Sequence, residues 1–175
     1  MTTPIVAFSD YQEFASGANV EEARFNGAVA AIRRYCGWHV APVMPETFTV
    51  DGSGSSLLQL RTLRLTDVSS VVNDGAALAA TEFEWSTIGT LRRRNGVWTS
   101  RFRGVVVTTQ HGFAVPPADL VSVLYDVTSR AVLAEPGSSL DKFGPFEFGR
   151  TEGGAVSFLP SERAVLDQYR LPVFA

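Results

Sequence analysis

The chain has 175 residues, 45% hydrophobic and 19% charged, with a formal net charge of −3. That length supports one well-buried domain, or a helical framework carrying a small β insertion, and excludes two enzyme-sized domains. The charge excludes a global basic field for nucleic acid, and the single cysteine, Cys36, excludes an internal disulfide and a four-thiolate zinc site.

Of 15 basic residues only Lys142 is a lysine, a bias that fits the codon usage of a GC-rich genome. No apolar run approaches the ~20 residues of a membrane span. The start, MTTPIVAFSDYQEF, has neither the basic n-region nor the apolar stretch of a signal peptide. A soluble intracellular protein is the expectation.

Residues 1–45 read as helical. Ser9 before Gln12 and Asn19 before Glu22 have the spacing of helix caps. In the second helix Phe25, Val29, Ile32 and Cys36 recur at helical spacing, and Gly37 is placed for the left-handed residue after the last turn. From residue 46 to 113 the pattern changes to short β-branched and aromatic runs separated by DGSGSS, NDG and NG. This predicts five to seven strands in a small antiparallel sheet or barrel. Arg94-Asn95-Gly96-Val97 reads as the clearest hairpin turn, and Asn73-Asp74-Gly75 as a looser one.

Helical periodicity returns after Pro116-Pro117, with Leu120, Leu124, Val127 and Ala131 on one stripe and Pro136-Gly137 as the stop. Residues 139–175 read as an extended arm. Its Phe143, Phe146 and Phe148 are atypical of a disordered tail, AVSF could add a strand, and LPSERAVLDQYR reads as a short closing helix. The fold class expected is α+β. A helical bundle body (1–45 and 114–138) carries an inserted antiparallel β subdomain (46–113) and an extended C-terminal arm (139–175).

Candidate chemistry is sparse. Cys36-Gly-Trp-His39 supplies half of a metal-ligand set whose other half would need His111 and a carboxylate from elsewhere. A buried helix-terminal cysteine and a structural histidine at a strand end are the plainer readings, so neither a catalytic residue nor a metal or other cofactor is expected. Glu82 and Glu84 read as one solvated strand face. Nucleophile elbows, P-loops, dinucleotide fingerprints and HExxH are absent from the sequence. The dense charge cluster is Arg92, Arg93, Arg94, Arg101 and Arg103, interleaved with Trp98 and Phe102. It reads as a phosphate-contacting hairpin, as a solvated hairpin tip, or as arginines paired with acids of a neighbouring subunit.

The order of these features carries more information than any one of them. RRYCGW at a helix end, the LRRRNGVW hairpin, the VVVTTQHGF strand, the PADLVSVLYDVTSRAV helix and a terminal LDQYR follow one another over about residues 20–170. In this order the chain resembles the head-to-tail connector (adaptor, or head-completion) proteins of long-tailed double-stranded DNA phages, especially those of actinobacteria. The resemblance implies a non-enzymatic virion protein of the neck, assembled in the host cytoplasm. Such adaptors form a ring, usually of twelve subunits, under the portal protein. The ring extends the DNA channel, with only transient non-specific contact with the packaged DNA, and meets a stopper, head-closure or tail protein. No membrane partner is implied. The arm would reach the portal, with Phe143, Phe146, Phe148, Tyr169 and Phe174 as portal or inter-subunit contacts, unless it folds back over its own helices. The alternatives are another neck or tail-completion protein, or a small host enzyme or ligand-binding domain with a polar pocket.

Overall fold

Apolar residues three and four apart place one buried stripe on each long helix, and the helices meet along those stripes. The computed structural model describes residues 4–15, 21–133 and 157–172. Among them are four α-helices: α1 (Phe8–Phe14), α2 (Glu22–Cys36), α3 (Ala118–Leu133) and α4 (Pro160–Leu166). Phe25, Ala28, Val29, Ile32 and Cys36 of α2 bury against Leu120, Val123, Leu124 and Val127 of α3, with Tyr11 of α1 and Leu166 of α4 completing the cluster.

The expected caps are not the ones used. Helix α1 follows Ala7 and α2 follows Glu21, neither with a side-chain cap bond. Ser9 lies inside α1 with its hydroxyl on Asp10, and Asn19 is outside the described residues. Acidic side chains in the first turns, Asp10 and Glu22, answer the helix dipole instead. The C-terminal signal of α2 holds: Gly37 has φ 84° and its N–H donates to Arg33 O at 2.8 Å.

Among the described residues, seven strands form two antiparallel sheets. The larger has the order β1 (Met44–Val50), β7 (Val105–His111), β3 (Leu65–Asn73), β4 (Ala76–Ala77). The smaller has the order β2 (Leu57–Gln59), β6 (Thr90–Arg93), β5 (Phe83–Trp85). Strand β7 alternates, burying Val105, Val107, Thr109 and His111 while their neighbours face outward. Phe48, Leu58, Leu65, Val71, Phe83, Leu91 and Trp98 join Val105 and Val107 in a second apolar cluster fed by both sheets. The first and last strands pair in full register, Met44 opposite His111 and Val50 opposite Val105.

The two turn signals exchange roles. Asp74 and Gly75, at φ 52° and 82°, make the tight β3–β4 hairpin, the positive-φ pair that a type I′ turn requires. At Asn95-Gly96 only the glycine has positive φ, and the chain leaves the small sheet rather than folding back on β6. Buried Trp98 explains the difference: its N–H groups bond Ser55 O (2.8 Å) and Ser56 O (3.1 Å), drawing the segment beneath the 51–56 loop.

The closing helix forms where expected. Its Pro160 opens the first turn, and Glu162 accepts the Leu159 N–H at 2.8 Å. Of AVSF, residues 155 and 156 lie outside the described residues and Ser157-Phe158 form no strand. Pro136-Gly137 also lies outside them.

Candidate functional site

The five arginines do not make one basic surface. Arg92, Arg93 and Arg94 line a shallow concavity with Ser56, Glu84 and Gly96, while Arg101 and Arg103 line another beside Asp74 and Phe102. Strand pairing puts Glu84 directly opposite Arg92, and the two form an ion pair. Glu82 lies 3.7 Å from Arg93, whose guanidinium also sits over the Trp98 ring. Arg101 donates to Asp74 at 2.7 Å. Glu82 and Glu84, read as a solvated face, are therefore partners of the arginines. Among the described residues the Arg94 and Arg103 side chains form no ion pair. Phe102, between Arg101 and Arg103, is 87% exposed. A partner that covered it would remove a large apolar side chain from water.

The part of the predicted arm that is described, 157–172, packs against α2 and α3. Tyr35 donates to Asp167 at 2.7 Å, Trp38 Nε1 to Tyr169 O at 2.7 Å, and Leu171 N to Cys36 O at 2.8 Å. Arg130 of α3 makes a forked contact with the buried Glu162, at 2.5 and 2.8 Å. Tyr169 donates its hydroxyl to Asp119; burial first, and then that hydrogen bond, push its pKa up to about 12. Of the five contact candidates Tyr169 is thus engaged with the chain's own helices; Phe143, Phe146, Phe148 and Phe174 lie outside the described residues.

A third group sits where the helical and β units meet. His39 follows α2, His111 ends β7, and Glu46 is on β1, diagonally across the register from His111 and on the same face. His111 Nε2 donates to Glu46 Oε2 at 2.8 Å, and His39 Nε2 meets Pro42 O at 2.8 Å. The two rings stand edge to face, 4.2 Å between centroids. A Cβ at Gly112 would lie 2.5 Å from His39 Nε2, so only glycine lets the ring approach the end of β7. Burial, before any other cause, lowers the pKa of both imidazoles; the neighbouring His111 adds to this at His39, and Glu46 opposes it at His111. Cys36, the other half of the CxxH spacing, is elsewhere: its thiol is fully buried toward Leu166 O, and burial pushes its pKa to about 12. That thiol is no nucleophile. The missing carboxylate is Glu46, which only the β1–β7 register identifies.

No helix among the described residues is long and apolar enough to cross a membrane. No family model matches the chain, and no curated protein matches it in sequence. Solved structures match it in fold. A chain from the neck of the native GTA (gene transfer agent) particle, computed with C12 symmetry, superposes with a TM-score of 0.64 over 99% of this chain and 97% of its own, at 11% identity. A chain from the neck of the empty GTA particle, computed with C6 symmetry, gives 0.56 over 97% and 92%, again at 11% identity. What is shared is the fold, over essentially the whole length of both chains.

Proposed function

We propose that this protein is a structural component of the neck of a phage-like particle, an adaptor that acts by assembly rather than catalysis. The observation that carries the reading is the end-to-end match to a neck chain, 99% of one and 97% of the other. A shared subdomain would leave part of one chain uncovered; here the helices, the β insert and the closing helix are all accounted for.

The ring-symmetric particles of the two neighbours support self-association into a ring, of twelve copies in our proposal, set under a portal protein and followed by a stopper or tail protein. Phe143, Phe146, Phe148 and Phe174 are proposed as portal or inter-subunit contacts, with Tyr169 fixing the base of that segment on α3. Arg92, Arg93, Arg94, Arg101 and Arg103 are proposed to face a partner or the DNA channel. Pairing of three of them with Glu84, Glu82 and Asp74 keeps any grip on DNA weak, since each neutralised phosphate adds salt-dependent affinity. A channel wall must let DNA slide.

Electron microscopy of the protein mixed with its portal, or of the particles themselves, tests the proposal. A ring bound beneath the portal is the expected result, and absence of the protein from purified particles overturns it.

A further inference from the structure

We propose that His39, Glu46 and His111 form a binding site for one divalent transition ion of the zinc class, at the junction of the helical and β units. One ligand atom from each lies within 4.8 Å of the other two. Two ligands on a tetrahedral zinc ion, with bonds of about 2.0–2.1 Å, stand about 3.4 Å apart. Closing the set therefore takes adjustments of about 1.4 Å at most, within reach of the half-exposed Glu46 side chain.

An ion shared with Glu46 has to displace a proton, because Glu46 sits at the protonated end of the His111 ring. His39 Nε2 faces a carbonyl and His111 Nε2 a carboxylate, both acceptors, so each Nε2 carries the proton. Each lone pair then lies on Nδ1. Both Nδ1 atoms are buried and have no hydrogen-bond partner, so no second bond holds either ring in this tautomer and the proton on Nε2 can give way to an ion. The His111 side chain is 1% exposed, whereas that of Glu46 is 44% exposed, which gives an ion a route from solvent.

The surroundings hold the set in place. Trp38 and Phe48 pack around the rings, and Phe113 packs on Trp38. Val40, beside His39, is fully buried at φ 63°, a conformation costly for a β-branched residue, and its carbonyl is held by Phe113 N–H at 2.8 Å. Two imidazoles and one carboxylate suit zinc, cobalt or nickel; calcium and magnesium prefer all-oxygen sets. A bound ion would link the end of α2 to both strands at the base of the insert.

The chain has only two histidines, so the test is clean on untagged full-length protein. After stripping with a chelator, titration with Co2+ should give the visible absorption of a four-coordinate site at one equivalent. Zn2+ should compete for the same site and raise the melting temperature with concentration. The imidazole 15N resonances of both histidines should move together on adding Zn2+ to the wild-type chain, a readout that needs no variant. His39→Gln and Glu46→Gln should each weaken binding by more than the roughly 10–100-fold typical of losing an outer-shell partner. Zn2+ that leaves the histidine resonances unmoved, or binds both variants as tightly as wild type, overturns the proposal.

Discussion

At the residue scale, Gly112 and the two histidines bear on one another. Any side chain at 112 collides with His39 Nε2 and Pro42 O, each 2.5 Å from the added carbon, in a backbone at φ 116°. Gly112→Ala is expected to cost at least about 2 kcal/mol, read as a fall in the denaturant midpoint; an unchanged midpoint contradicts the packing described. The histidines set a pH dependence of known sign. Unfolded imidazoles titrate near 6.5, and the folded pair, lowered chiefly by burial, only below that. As pH falls through 6.5 the unfolded state binds more protons, so the contribution of the pair is complete above that value and is lost toward the folded pKa values. Arg33 works against protonation of His39 and Glu46 favours it. In chelator-containing buffer the melting temperature should fall between about pH 7 and 5, and His39→Gln should flatten part of that slope. A wild-type slope in the variant would place the effect on other groups.

At the scale of elements, the closing segment contributes stability that its position near the C-terminus would not suggest. Helix α4 places Leu166 in the core and covers Cys36, whose side chain is otherwise at the end of α2. A chain ending at residue 156 should therefore expose that thiol. The expected outcome is slow reaction of intact protein with a thiol reagent and fast reaction of the truncated one; equal rates would show that α4 does not shield it. The long helices were legible because a buried stripe repeats every three to four residues and needs no distant information. Strand number was legible for a similar local reason. The ranking of the turns was not, because a type I′ signal produces a hairpin only if the next strand pairs with the previous one. At Asn95-Gly96 the burial of Trp98 decides otherwise. The caps failed likewise: acidic first turns satisfied α1 and α2 without Ser9. For the candidate metal site the CxxH spacing offered Cys36 and His39 as half a set, with His111 and an unnamed carboxylate as the other half, and the plain structural reading, without a metal, was the expectation. Helical periodicity turns Cys36 inward, and Glu46 reaches the pair only through cross-strand register.

At the scale of the whole molecule, partner contacts should be separable from folding. Phe102 is 87% exposed and contributes nothing to either buried cluster. Phe102→Ser should leave stability within about 0.5 kcal/mol of wild type, while lowering the yield of portal-bound rings in the microscopy assay. Undiminished ring yield would show that the exposed Phe102 ring takes no part in assembly.

The pairing of Met44 with His111 has a consequence for how such a chain can vary. From the side of the helices, the β unit is a loop whose two ends are zipped together, so its interior length adds little to the cost of bringing α2 and α3 into contact. Turns beyond that zipper can lengthen, shorten or be replaced without moving the helices, whereas β3 returns to the base, where Leu65 pairs with His111 and Leu63 packs on the helical cluster. Variation would then collect at the far end of the insert, where Phe102 and the arginines lie, while the junction at its base stays constant. A lineage of such proteins could change the outer face of the insert and keep the seat on which it stands.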